Sequence, residues 1–136
     1  MRGVATAIVV ATGLVSLIGA TFAADMTGAD IKALFSGKTT YLETTAASGS
    51  GTAGQSVIYW AEDGTALYKT PTGAMLHGKW EIKGNTLCAE WKERPNTGCI
   101  RYEKTGEVVM AFDAASGQLR AKIVKAVPGN AEKLVP

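Results

Sequence analysis

Apolar and polar side chains alternate with a period of two through the middle of this chain. In LHGKWEI (76–82), Leu76, Gly78, Trp80 and Ile82 fall on one side and His77, Lys79 and Glu81 on the other, as on a strand whose successive side chains point to opposite faces. TLCAEW (86–91) groups Leu87, Ala89 and Trp91, and CIRYEK (99–104) groups Ile100 and Tyr102. VVMAFD (108–113) predicts Val108, Met110 and Phe112 as its inward set. QLRAKIV (118–124) predicts Leu119, Ala121 and Ile123 inward, with Arg120 and Lys122 outward. Consecutive strands with one dry and one wet face describe an antiparallel sheet packed on one side.

Turn residues punctuate these runs. Asp63-Gly64, Lys83-Gly84-Asn85, Thr105-Gly106 and Ser116-Gly117 recur at roughly ten-residue spacing, the rhythm of a hairpin meander. The expected fold is mainly β: an antiparallel meander of about seven or eight strands between residues 39 and 126, closing as a small barrel or folding as a sandwich. One short helix should precede it, over about residues 27–36. Thr27 can cap that helix, Asp30 sits in its first turn, Gly37 can end it in the left-handed conformation, and Ile31, Leu34 and Phe35 share a face. ASGSGTAGQS (47–56) reads as a Gly/Ser-rich loop, either a plain flexible connection or a mobile binding loop. Residues 127–136 form a tail that leaves the sheet at Pro128-Gly129-Asn130.

The first 23 residues are of another kind. Arg2, an uncharged apolar run from Val4 to Ala20, and the small-x-small exit Thr21-Phe22-Ala23 have the order of a secretory signal peptide. About twenty uncharged residues can also span a bilayer as a retained anchor, but Thr6, Thr12, Gly13, Ser16 and Gly19 dilute the run. Cleavage after Ala23 is therefore expected. Removing 23 of 136 residues leaves 113, enough for one domain, residues 24–136, with no stable membrane span. The expected address is periplasmic or secreted.

Charge excludes some partners. Without Arg2 the 14 basic residues fall to 13, against 12 acidic, and the lysines are scattered rather than clustered, so neither nucleic acid nor an anionic membrane surface is indicated. Export also decides how Cys88 and Cys99 are read, because an oxidising compartment turns a pair in a small domain into a disulfide. If KERP (92–95) is a four-residue connection, Trp91 faces Asn96 and the same register sets Cys88 opposite Cys99. Directly opposed strand residues lie within the Cα separation a disulfide accepts. A redox-active pair would want C-x-x-C spacing or an electropositive helix terminus, and neither is present.

Catalytic chemistry finds little to work with. His77 is the sole histidine, no metal-ligand set or nucleophilic triad can be assembled by local spacing, and no cofactor is implied. Glu62-Asp63 is turn chemistry rather than a calcium loop. Glu90, Glu103 and Arg101 could meet across the cysteine hairpin as a charge pair. The aromatics around the first hairpin are more suggestive: Tyr59, Trp60, Asp63 and Tyr68 are the candidate rim for a ligand or partner, either lining a partly filled barrel or simply packing it.

YWAEDGT (59–65), GKW (78–80), LCAEW (87–91) and GC (98–99) resemble a family of small secreted proteobacterial proteins described as a domain of unknown function. Phe35-Ser36-Gly37-Lys38 corresponds to the step that ends the family's leading helix. That resemblance implies an exported β domain and no reaction. A more distant resemblance is to periplasmic inhibitors of secreted metalloproteases, which are lipocalin-like barrels with a G-x-W near a cysteine pair. Gly78, Trp80, Cys88, Cys99 and the turn from Asp113 to Leu119 echo them, although that turn is one residue longer and the usual tryptophan of the second half is missing. The resulting expectation is a non-enzymatic, lipocalin-like exported barrel. It would bind a small apolar molecule or an exported protein partner at a rim built from the 47–56 loop and the Asp63-Gly64 hairpin. The alternative is an inhibitor of an extracytoplasmic hydrolase such as a protease or lysozyme.

Overall fold

The computed structural model of the chain describes Gly3, residues 22–48 and residues 50–136, so the signal-peptide expectation falls almost wholly outside the described residues. A two-residue strand β1 (Ala24–Asp25) is followed by helix α1 (Gly28–Phe35). Eight strands come next: β2 (Lys38–Thr44), β3 (Gly54–Trp60), β4 (Thr65–Lys69), β5 (Met75–Lys83), β6 (Thr86–Trp91), β7 (Arg94–Thr105), β8 (Val108–Asp113) and β9 (Leu119–Pro128). Each pairs antiparallel with the next, and β9 returns to pair with β2 from Lys38↔Pro128 to Thr44↔Ala121. The sheet is therefore a closed eight-stranded up-and-down barrel, not a sandwich. β1 adds to β7 beside Lys104 and Glu103.

Helix α1 closes one end. Thr27 Oγ1 accepts from the Asp30 N–H and the Thr27 N–H donates to Asp30 Oδ2, both at 3.2 Å, which is a reciprocal capping box. The helix ends at Ser36, and Gly37 follows with φ 71°, the left-handed exit its residue type predicts. The Gly28 N–H donates to Asn85 Oδ1 at 2.9 Å, seating the helix on the β5–β6 turn. Ile31 and Phe35 are fully buried. Phe35 stands 5.7 Å from the Trp60 ring and 4.9 Å from Tyr102, so the helix drives its apolar stripe into the barrel mouth.

The Asp63-Gly64, Gly84-Asn85, Gly106 and Gly117 turns all form where expected. Three assignments are corrected. In β8 the buried residues are Val109 and Ala111, while Val108 is 41% exposed. Cross-strand partners share a face, and Ala111 is paired with inward-facing Tyr102, so Phe112 lies opposite Arg101 on the outer face, its ring 4.6 Å beneath that guanidinium. In β9 a register shift between Ala111 and Phe112 leaves Arg120 as an extra residue. Such a bulge breaks the period of two, sending Leu119 outward and Arg120 inward, the reverse of the expected faces. Finally, the β6–β7 connection is Lys92-Glu93, with Trp91↔Arg94, and a bulge between Ala89 and Trp91 restores Cys88↔Cys99.

That pair is a disulfide, with Cα atoms 4.0 Å apart, on the outer face. Replacing both cysteines (Cys88→Ala with Cys99→Ala) should lower the unfolding free energy by about 3 kcal/mol, the loop-closure value for a bridge of this span, with the β circular dichroism unchanged. Denaturant titration checks it. Gly78 is a second sensitive point: a methyl group there would overlap the Glu90 carbonyl oxygen and stand 2.6 Å from the Trp91 ring. Gly78→Ala should destabilise by about 1–3 kcal/mol, measured as a lowered thermal midpoint.

Candidate functional site

The inward side chains change size around the barrel wall. On β3 to β6 they are large: Trp60 and Trp80 meet at 5.7 Å, Trp60 and Trp91 at 6.2 Å, and Tyr68 and Trp91 at 5.3 Å. The Trp60 indole N–H is satisfied by Thr40 Oγ1 and that of Trp80 by the Ala61 carbonyl, each at 2.9 Å. On β6 to β9, Ala89, Gly98, Ala111 and Ala121 bring four small residues to the interior, and a cavity of about 70 Å³ remains. Trp60, Tyr68 and Trp91 form its aromatic wall, Leu42, Leu87 and Ile100 its aliphatic one, and Thr44, Ser48 and Arg120 its polar end. A water needs roughly 10–15 Å³ of such space, and a cavity of about 150 Å³ accepts benzene. The interior is thus sized for a small apolar group.

Arg120 and Asp113 close the polar end. Asp113 Oδ2 accepts from Arg120 Nη2, and Oδ1 accepts from the Ser116 N–H at 2.8 Å and the Ala115 N–H at 3.0 Å. The Ser116 N–H is the largest influence on the carboxyl group. Arg120 and the Ala115 N–H add to it, burial opposes it, and the pKa is lowered to about 2. Arg120 Nε is buried and has no hydrogen-bond partner among the described residues. The neighbouring loop is tied down by the Arg94 guanidinium, which donates to the Ser50 carbonyl at 2.5 Å.

The four residues expected at one rim are divided. Trp60 and Tyr68, each 3% exposed, line the cavity from β3 and β4. Tyr59, their neighbour in β3, points outward beside Leu67 and Leu134 of the tail. Asp63 Oδ1 accepts from the Thr65 N–H at 2.9 Å and the Thr65 hydroxyl at 2.6 Å, holding the turn and lowering the pKa of its own carboxyl. β3 runs from the 45–53 loop to the 61–64 turn, so that loop and the Asp63-Gly64 hairpin occupy opposite ends of the barrel. The cavity lies at the loop end, near Ser48.

His77 is bound to Glu93, whose Oε1 accepts from Nδ1 at 2.7 Å and whose Oε2 accepts from the His77 N–H at 2.8 Å. That backbone N–H is the leading cause of a lowered Glu93 pKa. Arg101 pairs with Glu103 at 2.6 Å, as expected, and with Asp25 of β1 at 3.2 Å; Glu90, expected in the same cluster, makes no ion pair with Arg101. Among the described residues no three His, Cys, Asp or Glu side chains converge as a metal site, and no helix is long and apolar enough to cross a membrane. Arg120 is the site residue that sequence reasoning missed. The available signal was a single arginine in an apolar run, seven residues after an aspartate and across a Ser-Gly turn.

Comparison with protein-family models, curated proteins and solved structures finds no match.

The lowered Asp113 pKa has a definite sign. A carboxyl that is more acidic when folded stabilises the fold above its ordinary pKa of 3.8, and that contribution is lost as pH falls towards about 2. Wild-type stability should therefore drop more steeply between pH 4 and pH 2 than that of Asp113→Asn, by up to about 1.4 kcal/mol per pH unit. Urea midpoints across that interval test it, and parallel slopes would remove the assigned role.

Proposed function

We propose that this protein is an exported, non-enzymatic binding barrel that takes a small, largely apolar molecule into the cavity at its loop end. The observation that carries this reading is the interior space walled by Trp60, Tyr68 and Trp91 and bounded by alanine and glycine. Well-packed interiors hold few voids larger than a water molecule, and one with an aromatic wall next to a single cation has the make-up of a ligand pocket, few polar groups on an apolar wall. The disulfide fits an oxidising compartment, and export through residues 1–23 belongs to the same proposal. Within this reading Trp60 and Tyr68 are binding residues, and Asp63 keeps its turn.

Ala111 faces the cavity, so Ala111→Leu fills it from within. Native mass spectrometry of protein from the exported fraction, at low activation energy, should show a non-covalent adduct in the wild type that is released on denaturation and absent from Ala111→Leu. The purified variant should bind small hydrocarbons at least about tenfold more weakly by tryptophan fluorescence, a loss of about 1.4 kcal/mol. A wild type of bare mass that also binds no small apolar probe would overturn the proposal. A stoichiometric complex with an exported hydrolase in its place would favour the inhibitor reading.

A further inference from the structure

We infer that two copies of this protein pair through the outer face of β8 and β9, about a two-fold axis running along β8. Of the five large apolar side chains exposed among the described residues, Val108, Leu119 and Val124 lie on this one face, and the other two, Phe22 and Val135, lie outside the barrel strands. Phe112 is paired with Leu119 and Met110 with Lys122, while Val108 and Val124 each stand one residue beyond the Val109↔Ile123 pair. Val109 and Ile123 are buried. Because side chains alternate along a strand, the five apolar neighbours form one outward stripe with Met110 at its centre. Single apolar residues scattered over a surface need no explanation, but a contiguous patch marks an interaction site. A sheet packed on one side needs only one dry face, and β8 is apolar on both.

Charge identifies the partner as a second copy. In the row through the middle of the stripe, Met110 is flanked by Glu103 of β7 on one side and Lys122 of β9 on the other. Glu103 belongs to a cluster with Arg101 and Asp25, in which two carboxylates and one guanidinium leave an excess of negative charge. Lys122 enters no ion pair among the described residues. The face is thus apolar along its middle, acidic on the β7 flank and basic on the β9 flank. A surface of a single sign would match one flank and be repelled by the other. A two-fold axis along β8 keeps every residue at its own height and exchanges the flanks, so Glu103 meets Lys122 of the partner subunit, and the same contact recurs on the opposite side. This is the self-complementarity that an isologous pair requires. The wall of a closed barrel curves away on both sides of the contact, which draws Asp25 and Glu43, each one strand further out, apart from one another.

Sedimentation equilibrium of protein from the exported fraction, over about 1 μM to 1 mM at low ionic strength, should show a monomer–dimer equilibrium. Met110→Glu puts a charge at the centre of the stripe and should leave only monomer, with the β circular dichroism unchanged. Glu103→Lys sets lysine against lysine at both flanks, and Lys122→Glu sets glutamate against glutamate. Either variant alone should dimerise at least about tenfold more weakly than the wild type. Asp25 continues to serve Arg101 in Glu103→Lys. Mixed in equal amounts, the two variants are complementary at both flanks and should form a one-to-one pair with an affinity close to that of the wild type. Recovery on mixing is a result that neither misfolding nor a general loss of solubility can produce. A wild type that stays monomeric across the range, single variants that dimerise as it does, or two variants that ignore each other when mixed would each overturn the inference. None of these outcomes bears on the cavity, whose ligand is read separately through Ala111→Leu.

Discussion

The ladder between β2 and β9 is the constraint on which the rest of the molecule depends. Without it, strands β2 to β9 would be an open sheet with two unpaired edges, each a template for pairing with another chain. With it, every main-chain edge of the meander is internal, and the residues facing inward must fill a space whose width is set by eight strands. The closing ladder is irregular: Tyr41 pairs with Lys125 and Leu42 with Ile123, so Val124 is extruded. A second extra residue, Arg120, sits across the sheet where β9 meets β8. Bulges bend and twist a strand locally, and two within one ten-residue strand give the seam its curvature.

Closure alone does not decide whether a barrel is a solid core or a container. That is set by which side chains each part of the wall turns inward. The helix end stacks Phe35, Trp60, Trp80 and Tyr102 in edge and tilted contacts, the geometries aromatic quadrupoles favour. The wall from β6 to β9 offers Ala89, Gly98, Ala111 and Ala121. Gly78 packs against the aromatics because the Trp91 ring lies where its side chain would be, whereas at Gly98 an added Cβ would meet Arg120 and Asp113 only at 3.7 and 3.8 Å. The same residue type thus serves close packing on one side of the barrel and open space on the other.

Much of the architecture was legible in the chain because the turns carry their own chemistry and β5 to β7 alternate cleanly. The helix was legible down to its cap and its left-handed glycine, since each depends on neighbours a few positions away. What escaped was register. VVMAFD is apolar on both faces, so period two cannot choose between Val108-Met110-Phe112 and Val109-Ala111, and the deciding fact is the distant partner Tyr102. A bulge likewise leaves no mark on local composition, which is why Arg120 read as outward. The cysteine pairing survived a wrong turn length because the bulge near Trp91 compensates for the shorter Lys92-Glu93 connection. The candidate site was half legible for a related reason: alternation separates Trp60 and Tyr68 from Tyr59, but the end of the barrel each turn occupies follows only from the whole topology.

The Arg120–Asp113 pair is the point where fold and site meet. Replacing a buried ion pair with apolar residues of similar volume is often neutral or stabilising, whereas removing one partner is strongly destabilising, so stability alone gives little reason for a cation at this position. The pair does perform local structural work, because Asp113 gathers the 114–118 turn through two backbone N–H groups. That work needs only the carboxylate and a partner for its other oxygen. Arg120 lines the cavity because the bulge turns it inward, and its Nε is enclosed without a partner among the described residues. The cation's place is thus set by the bulge rather than by the ion pair, and the alanines and glycine on the same side leave the room that larger side chains would close.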